Sequence, residues 1–415
     1  MQRKELVVRF GTQQYLHWTV VGLLIPVIIL IFQSKGLNLA QVGIVMAVWI
    51  GSTTLLERPV GGLADTIGRK KTYSYSLILT LLGCLNLLYA NGLFSILISS
   101  LLLGASRAVY SGTLDAWFYD AFTDSAGAGS YHTAIAKVNV FVTAGLATGA
   151  LIGGFLPNSI VSSYFESFDE YDINVFTASV SNIILLLLTW LLLPHEQRII
   201  KERQDNTITT AIETSIQALN FSLHHWTLRL VIQATLIFGA TMSAVENLWQ
   251  PYLSELMGMQ SKDLTLFGII SALYFLMSAL SSIVSVPLLK VFGGSHKALM
   301  FVTRALAGLS LILLANTSNT MSFTLLYLTF FFLLTMGNNS EQVLLNENTP
   351  EEIRSTILSI SSFAVTGGGV LASLASGFIS EYYGISLSWI LCGSVLLTSS
   401  LYFLGCREVI KTESV

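Results

Sequence analysis

Apolar residues run in blocks along almost the whole chain, separated by short stretches of Gly, Pro and charge. A helix needs about 20 apolar residues to cross a hydrocarbon core. Reading for such runs predicts twelve helices, six near residues 10–33, 39–60, 72–90, 94–120, 131–157 and 173–194, and six near 228–253, 264–289, 297–315, 321–346, 356–379 and 386–405. Arg3, Lys4 and Arg9 precede the first run as they would in a signal peptide, but the run is long and has no small-residue cleavage site, so retention is expected. The longest polar interruption runs from His195 to about Trp226. Within it Ile208, Ile212, Ile216 and Leu219 recur at helical spacing, with Thr209, Glu213 and Gln217 off the stripe. This is an amphipathic helix, lying on the inner membrane face or serving as a solvated linker. The expected organisation is a six-helix bundle over 1–194, a linker over 195–227 and a second six-helix bundle over 228–415.

Composition excludes a soluble reading of the 415 residues: 53% are apolar and 11% charged, against about 25% charged in a soluble domain. A net charge of −3 leaves no basic excess for nucleic acid. Cys84, Cys392 and Cys406 sit in apolar runs without disulfide or zinc spacing, and no histidine cluster suggests a metal. With the N-terminus inside, seventeen of the 21 Lys and Arg fall on the inner side, Arg304 among them. Lys35 and Lys262 fall outside, in company with an acidic outer loop around Glu166, Asp169, Glu170 and Asp172, while Arg107 and Lys137 fall within spans. The bias places both termini on the cytoplasmic side.

The two halves repeat. Gly36-Leu37-Asn38-Leu39 with Gly43 matches Lys262-Asp263-Leu264-Thr265 with Gly268, the glycines at a spacing of 225, which also carries Pro26 onto Pro251 and Gly68 onto Gly293. At a spacing of 223, Thr133, Thr143, Gly154 and Phe155 fall on Thr356, Thr366, Gly377 and Phe378. A parallel repeat of six spans about an axis along the membrane normal places a substrate site near the midplane between the halves.

Between the second and third spans stands Gly61-Gly62-Leu63-Ala64-Asp65-Thr66-Ile67-Gly68-Arg69-Lys70-Lys71. This resembles the cytoplasmic signature of the major facilitator superfamily, G-x-L-a-D-r-x-G-r-k-x, with Thr66 at a usually basic position. The resemblance implies the major facilitator fold, an all-α membrane protein of twelve transmembrane helices in two parallel six-helix repeats. It also implies a conformational latch of Gly61, Asp65, Gly68, Arg69 and Asp120, in which Asp65 meets the N-terminus of the eleventh helix and Arg69 pairs with Asp120. Taken alone, Arg69, Lys70 and Lys71 are also readable as topogenic charges. The fifth helix carries Gly145, Gly149, Gly153 and Gly154. These resemble the antiporter motif of drug–proton exchangers, with Ala150 at the usual proline, or else serve close helix packing.

Ionisable groups within spans are costly and therefore functional candidates. Arg107 resembles the superfamily's arginine in the fourth helix, and on a continuous helix Asp115 shares a broad face with it. The repeat carries Asp115 onto Glu341, which has Asn338 and Gln342 beside it. On the seventh helix, Glu246, Asn247 and Gln250 surround Trp249. Trp18, Arg107, Asp115, Glu246, Asn247, Gln250, Asn338 and Glu341 are the expected lining of a substrate cavity. Asp115, Glu246 or Glu341 is expected to carry a coupled proton; alternatively Arg107–Asp115 or Lys137–Glu341 is a structural pair. His17 and Trp18 serve either substrate contact or packing. Neither a nucleotide-binding loop nor a nucleophile–base constellation is visible, so no enzyme activity and no cofactor are expected. The implied function is proton-coupled secondary transport by alternating access in a plasma membrane, a bacterial inner membrane being the expected setting, by a single chain exporting small amphipathic or drug-like compounds. The alternatives are a proton symporter importing a polar solute such as a sugar, organic acid or metal-chelating metabolite, and a non-transporting receptor or lipid flippase.

Overall fold

A computed structural model of the chain describes residues 2–61, 63–159, 170–193, 208–258 and 264–407, with the side chains of Arg58, Gly61, Asp65 and residues 208–215 left outside the description. Among the described residues the structure is helical and contains no β-strand. The first half comprises α1 (Arg3–Gly22), α2 (Ile28–Ser34), α3 (Leu39–Gly61), α4 (Leu63–Ile67), α5 (Arg69–Leu88), α6 (Gly92–Tyr110), α7 (Thr113–Asp124), α8 (Tyr131–Phe155) and α9 (Asp172–Leu192). After α10 (Ile208–His224), the second half comprises α11 (Trp226–Glu246), α12 (Trp249–Met257), α13 (Thr265–Val291), α14 (His296–Leu314), α15 (Thr320–Met336), α16 (Asn338–Glu347), α17 (Arg354–Tyr383) and α18 (Ile385–Ser399). The chain divides into two compact units, Met1–Glu202 with Gly258–Leu276 and Arg203–Met257 with Met277–Val415.

Ten helical stretches are long and apolar enough to cross a membrane, among the described residues. The two expected spans outside that set are helical but too polar. In the first, α1 carries Arg3, Lys4, Glu5, Arg9, Gln13, Gln14 and His17; in the third, α5 opens on Arg69, Lys70 and Lys71.

Four of the expected spans are broken, and the sequence explains each break. Proline cannot donate to the carbonyl four residues earlier. Pro26 therefore denies Gly22 its helical donor, which is where α1 ends, and Pro251 denies Asn247 its donor, one residue beyond the end of α11. In the fourth span, Gly112 takes φ +67° between α6 and α7, a conformation that an L side chain rarely adopts. In the tenth, Gly337 separates α15 from α16. The breaks fall in the first and fourth spans of each half. Gly68 and its repeat partner Gly293 likewise both adopt positive φ, +95° and +63°.

The halves also pack alike internally. α1 lies against α8, and α11 against α17. A methyl group on Gly145, Gly149 or Gly153 would overlap the backbone of Tyr15, Thr19 or Leu23 in α1, and Gly154 meets the backbone of Gly268 within the first unit. In the second unit, Gly368 meets the carbonyl of Leu236 and Gly239 that of Val365. Small residues let these backbones touch.

Three cations depart from the sequence expectation. Lys35, assigned to an outer loop, is buried and pairs with Asp172 at 3.0 Å. Asp172 opens α9 and is itself buried, so neither is a free loop charge. Lys70, readable as topogenic, is also buried; its Nζ donates to Trp190 O at 3.1 Å and Leu193 O at 2.6 Å, closing the C-terminal end of α9, where carbonyls lack helical partners. Arg304, counted on the inner surface, lies nine residues into α14 and is 2% exposed.

Candidate functional site

The helix breaks position the acidic candidates. Asp115 stands in the first turn of α7, Glu246 ends α11, and Glu341 stands in the first turn of α16. Discontinuous membrane helices present unpaired backbone groups and helix ends where polar solutes and ions can be held. The break also corrects the expected geometry of the fourth span. Arg107 belongs to α6 and Asp115 to α7, so the face shared on a continuous helix does not exist, and no ion pair joins the two among the described residues. A carboxylate not anticipated from the sequence enters instead: Ser111, at the break, donates to Glu57 Oε1 of α3 at 2.5 Å.

Polar and aromatic side chains interlock in the first unit. Gln14 Oε1 accepts from Trp18 Nε1 at 3.2 Å and Tyr110 Oη at 3.0 Å, while Gln14 Nε2 donates to Gln13 Oε1. His17 stacks on Tyr110 with ring centroids 4.3 Å apart, and its Nδ1 lies 2.9 Å from Tyr73 Oη. The Arg107 charge is felt at His17 and Tyr110, and that of Asp115 at Tyr110 and Tyr131. Trp18 is thus part of a fixed network, whereas Arg107 and Asp115 are exposed beside it.

The second unit carries a half-open cavity of about 400 Å³ lined by α11, α16 and α17. Its polar lining is Thr235, Asn338, Glu341, Gln342, Ser361, Ser362 and Thr366; Phe238, Leu358 and Val365 supply the apolar part. Glu341 is 6% exposed, and both its oxygens are engaged: Thr235 Oγ1 donates at 2.5 Å, Arg304 Nη2 at 3.0 Å. Arg304 also donates to Asn338 Oδ1 at 3.2 Å and to Leu334 O near the end of α15, with its guanidinium 4.4 Å from the Phe238 ring centroid. One cation therefore closes the α15–α16 break and compensates the carboxylate beyond it. The sequence had offered Lys137 as the cation for Glu341; the partner is Arg304. An arginine nine residues inside an apolar run was the overlooked signal.

Glu246, Asn247 and Gln250 do not line this cavity. Asn247 Nδ2 donates to Ser373 Oγ of α17 at 2.9 Å, and Gln250 is buried. Glu246 is half-buried, with its charge felt at Tyr327, whose ring lies 5.3 Å from that of Trp249.

Of the signature residues, Gly68 takes the positive-φ turn into α5, and Arg69 Nη1 lies 2.6 Å from Asp120 Oδ2. Gly61 ends α3 and Asp65 sits on α4, but their side-chain environments lie outside the described residues. The Arg69 and Asp120 side chains are 20% and 49% exposed. Arg69→Gln is expected to change unfolding free energy by no more than about 1 kcal/mol, measured by denaturation in detergent. A larger loss means the pair is a structural support.

A polytopic helical protein with paired halves and charges at broken helices is a membrane transporter in architecture. The chain belongs to the Major Facilitator Superfamily, whose profile matches residues 14–338 and 234–414. It is similar to an uncharacterized MFS-type transporter, YxaM, of Bacillus subtilis (strain 168), with 22% identity over 393 residues covering 91% of this chain and 90% of that protein. Among solved structures, a variant of the nucleoside transporter NupG superposes with TM-score 0.81 at 15% identity, over 97% of this chain and 100% of that one. A bacterial homolog of the human lysosomal transporter Spinster gives TM-score 0.74 at 14% identity, over 99% of each chain. The protein is accordingly a multi-pass membrane transporter of this superfamily and not an enzyme.

Proposed function

We propose that the chain is a proton-coupled secondary transporter for a small, uncharged, hydroxyl-rich solute, working by alternating access. The observation that carries the substrate class is the cavity of the second unit. Six of its ten lining residues carry a hydroxyl or an amide against a largely apolar surface, and its one carboxylate is paired with Arg304. Such a surface offers many neutral donors and acceptors but no net charge for an ionic drug. The cavity volume suits a small organic ligand, for which sites span roughly 300–1,000 Å³. The glycine run behind an export reading packs α8 on α1, so it supports close contact rather than a direction of transport.

Proton carriage is assigned to Asp115, in the first turn of α7, and to Glu246, at the end of α11, both of which stand at helix breaks. Glu341 is the paired, structural carboxylate. Arg69 and Asp120 form part of the latch. Twelve crossings in two six-helix halves, termini on the cytoplasmic side of a plasma membrane and action as a single chain complete the proposal.

The test is solute binding by purified protein across a panel of sugars, polyols and nucleosides, with amphipathic cations as the contrast. A neutral hydroxylated compound should bind, and Asn338→Ala should weaken it about tenfold, the value of one lost hydrogen bond near 1.4 kcal/mol. Glu246→Gln should leave affinity unchanged. Binding confined to amphipathic cations overturns the assignment.

A further inference from the structure

α10 presents three faces. At 100° per residue, Ile216, Leu219 and Leu223 fall within about 60° of one another, and all are exposed, by 48–56%. Gln217, Asn220 and His224 form a second, adjacent exposed edge, also about 60° wide. Ala218 and Ser222 are buried on the opposite side. A linker helix in water turns its apolar face toward protein. Here the protein receives Ala218 and Ser222, while large aliphatic side chains point away. A helix with separate protein, apolar and polar sides fits the boundary between hydrocarbon and headgroups.

The apolar edge continues into surfaces that belong to the membrane region. α11, a candidate span, opens after a single residue, His225, separates it from α10. Its first residue, Trp226, is 51% exposed, donates from Nε1 to Gly405 O at 3.0 Å, and has the Arg229 guanidinium 4.8 Å from its ring centroid. Leu401 and Leu404, in the turn of 3-10 helix Ser400–Gly405, are also exposed. An indole with an adjacent cation is the composition found at membrane interfaces.

The protein-facing side of α10 reaches the cavity wall. Ala218 and Phe221 pack with Ile353, Ile357 and Ile360 around the start of α17, and the cavity lining begins at Leu358. We infer that α10 is an interfacial helix with its Ile216–Leu219–Leu223 edge in the headgroup boundary of the bilayer, and that the membrane thereby positions the start of α17. The bilayer surface acts as a ligand of the transporter. The link to solute movement rests on the proposed function; the docking itself does not.

The experiment uses full-length protein in lipid vesicles with Cys392→Ala, since Cys84 and Cys406 are buried. Nitroxide labels are placed singly at Leu219→Cys, Leu223→Cys, Gln217→Cys and Asn220→Cys, and collisions with oxygen are compared with those of a water-soluble nickel chelate. Labels at 219 and 223 should favour oxygen, and those at 217 and 220 the chelate. Chelate access at all four positions, or shielding of 219 and 223 from both reagents, overturns bilayer docking. In a second arm, Leu219→Asp with Leu223→Asp should slow vesicle uptake several-fold while leaving solute affinity in detergent unchanged. Parental uptake rates would overturn the link to α17 even where the collision data hold, so the two failures are distinguishable.

Discussion

Glu341→Gln should destabilise the protein by about 3–5 kcal/mol, the cost of leaving a buried charge uncompensated. Arg304 is 2% exposed and pairs with no second carboxylate among the described residues; its remaining partners there are Leu334 O, Asn338 Oδ1 and the face of Phe238. Those neutral groups orient the guanidinium without balancing its charge. Removing the cation as well should reverse most of the loss, because an apolar replacement of a whole buried pair is often neutral. Glu341→Gln with Arg304→Met is therefore expected to be more stable than Glu341→Gln alone. Equilibrium unfolding in mixed detergent micelles, run as a double-mutant cycle, reads both. A Glu341→Gln cost below about 1 kcal/mol would mean that solvent reaches the pair and that Arg304 does not hold the α15–α16 break.

The second large effect separates two neighbouring glycines. A methyl group on Gly368 would overlap the backbone carbonyl of Leu236, whereas one on Gly367 meets nothing within 4 Å. Backbone cannot rotate aside as a side chain can. Gly368→Ala should therefore cost at least about 1–3 kcal/mol, the range for overpacking. Gly367→Ala should be neutral or should stabilise by up to about 1 kcal/mol through helix propensity. Gly149→Ala is expected to behave like Gly368→Ala, since it meets Thr19 O of α1. Equal effects at 367 and 368, in the same unfolding assay, would show that α11 and α17 are not in backbone contact.

Much of this architecture is legible along the chain because hydrophobicity and proline act locally. The apolar runs locate the helices, and Pro26 and Pro251 fix where α1 and α11 stop. Gly68 and Gly293 announce the turns that the backbone then makes. What escaped depends on tertiary partners. Arg304 has the sequence context of a surface cation and becomes a buried cap only because α15 ends against it. Lys35 resembles a loop charge until Asp172 is folded beside it. Asp115 and Arg107 share a face on an ideal helix, and a single positive φ at Gly112 removes that relation. Glu57 could have been flagged as a carboxylate near the end of an apolar run, but its partner Ser111 is 54 residues away.

The glycines of α8 illustrate a similar limit. Their spacing is compatible with a functional motif and with a packing seam, and only the backbone of α1 distinguishes the two uses. Substrate class is likewise a property of converged side chains. Thr235, Asn338 and Ser362 are ordinary residues in sequence, yet they share one cavity.

Proton coupling is tested most directly in vesicles loaded with a pH-sensitive dye and challenged with the bound solute in the absence of any imposed gradient. Solute entry should move protons across the membrane, and Asp115→Asn or Glu246→Gln should abolish that proton movement while solute binding persists. Solute entry without a dye response, or parental proton movement in both variants, contradicts the account.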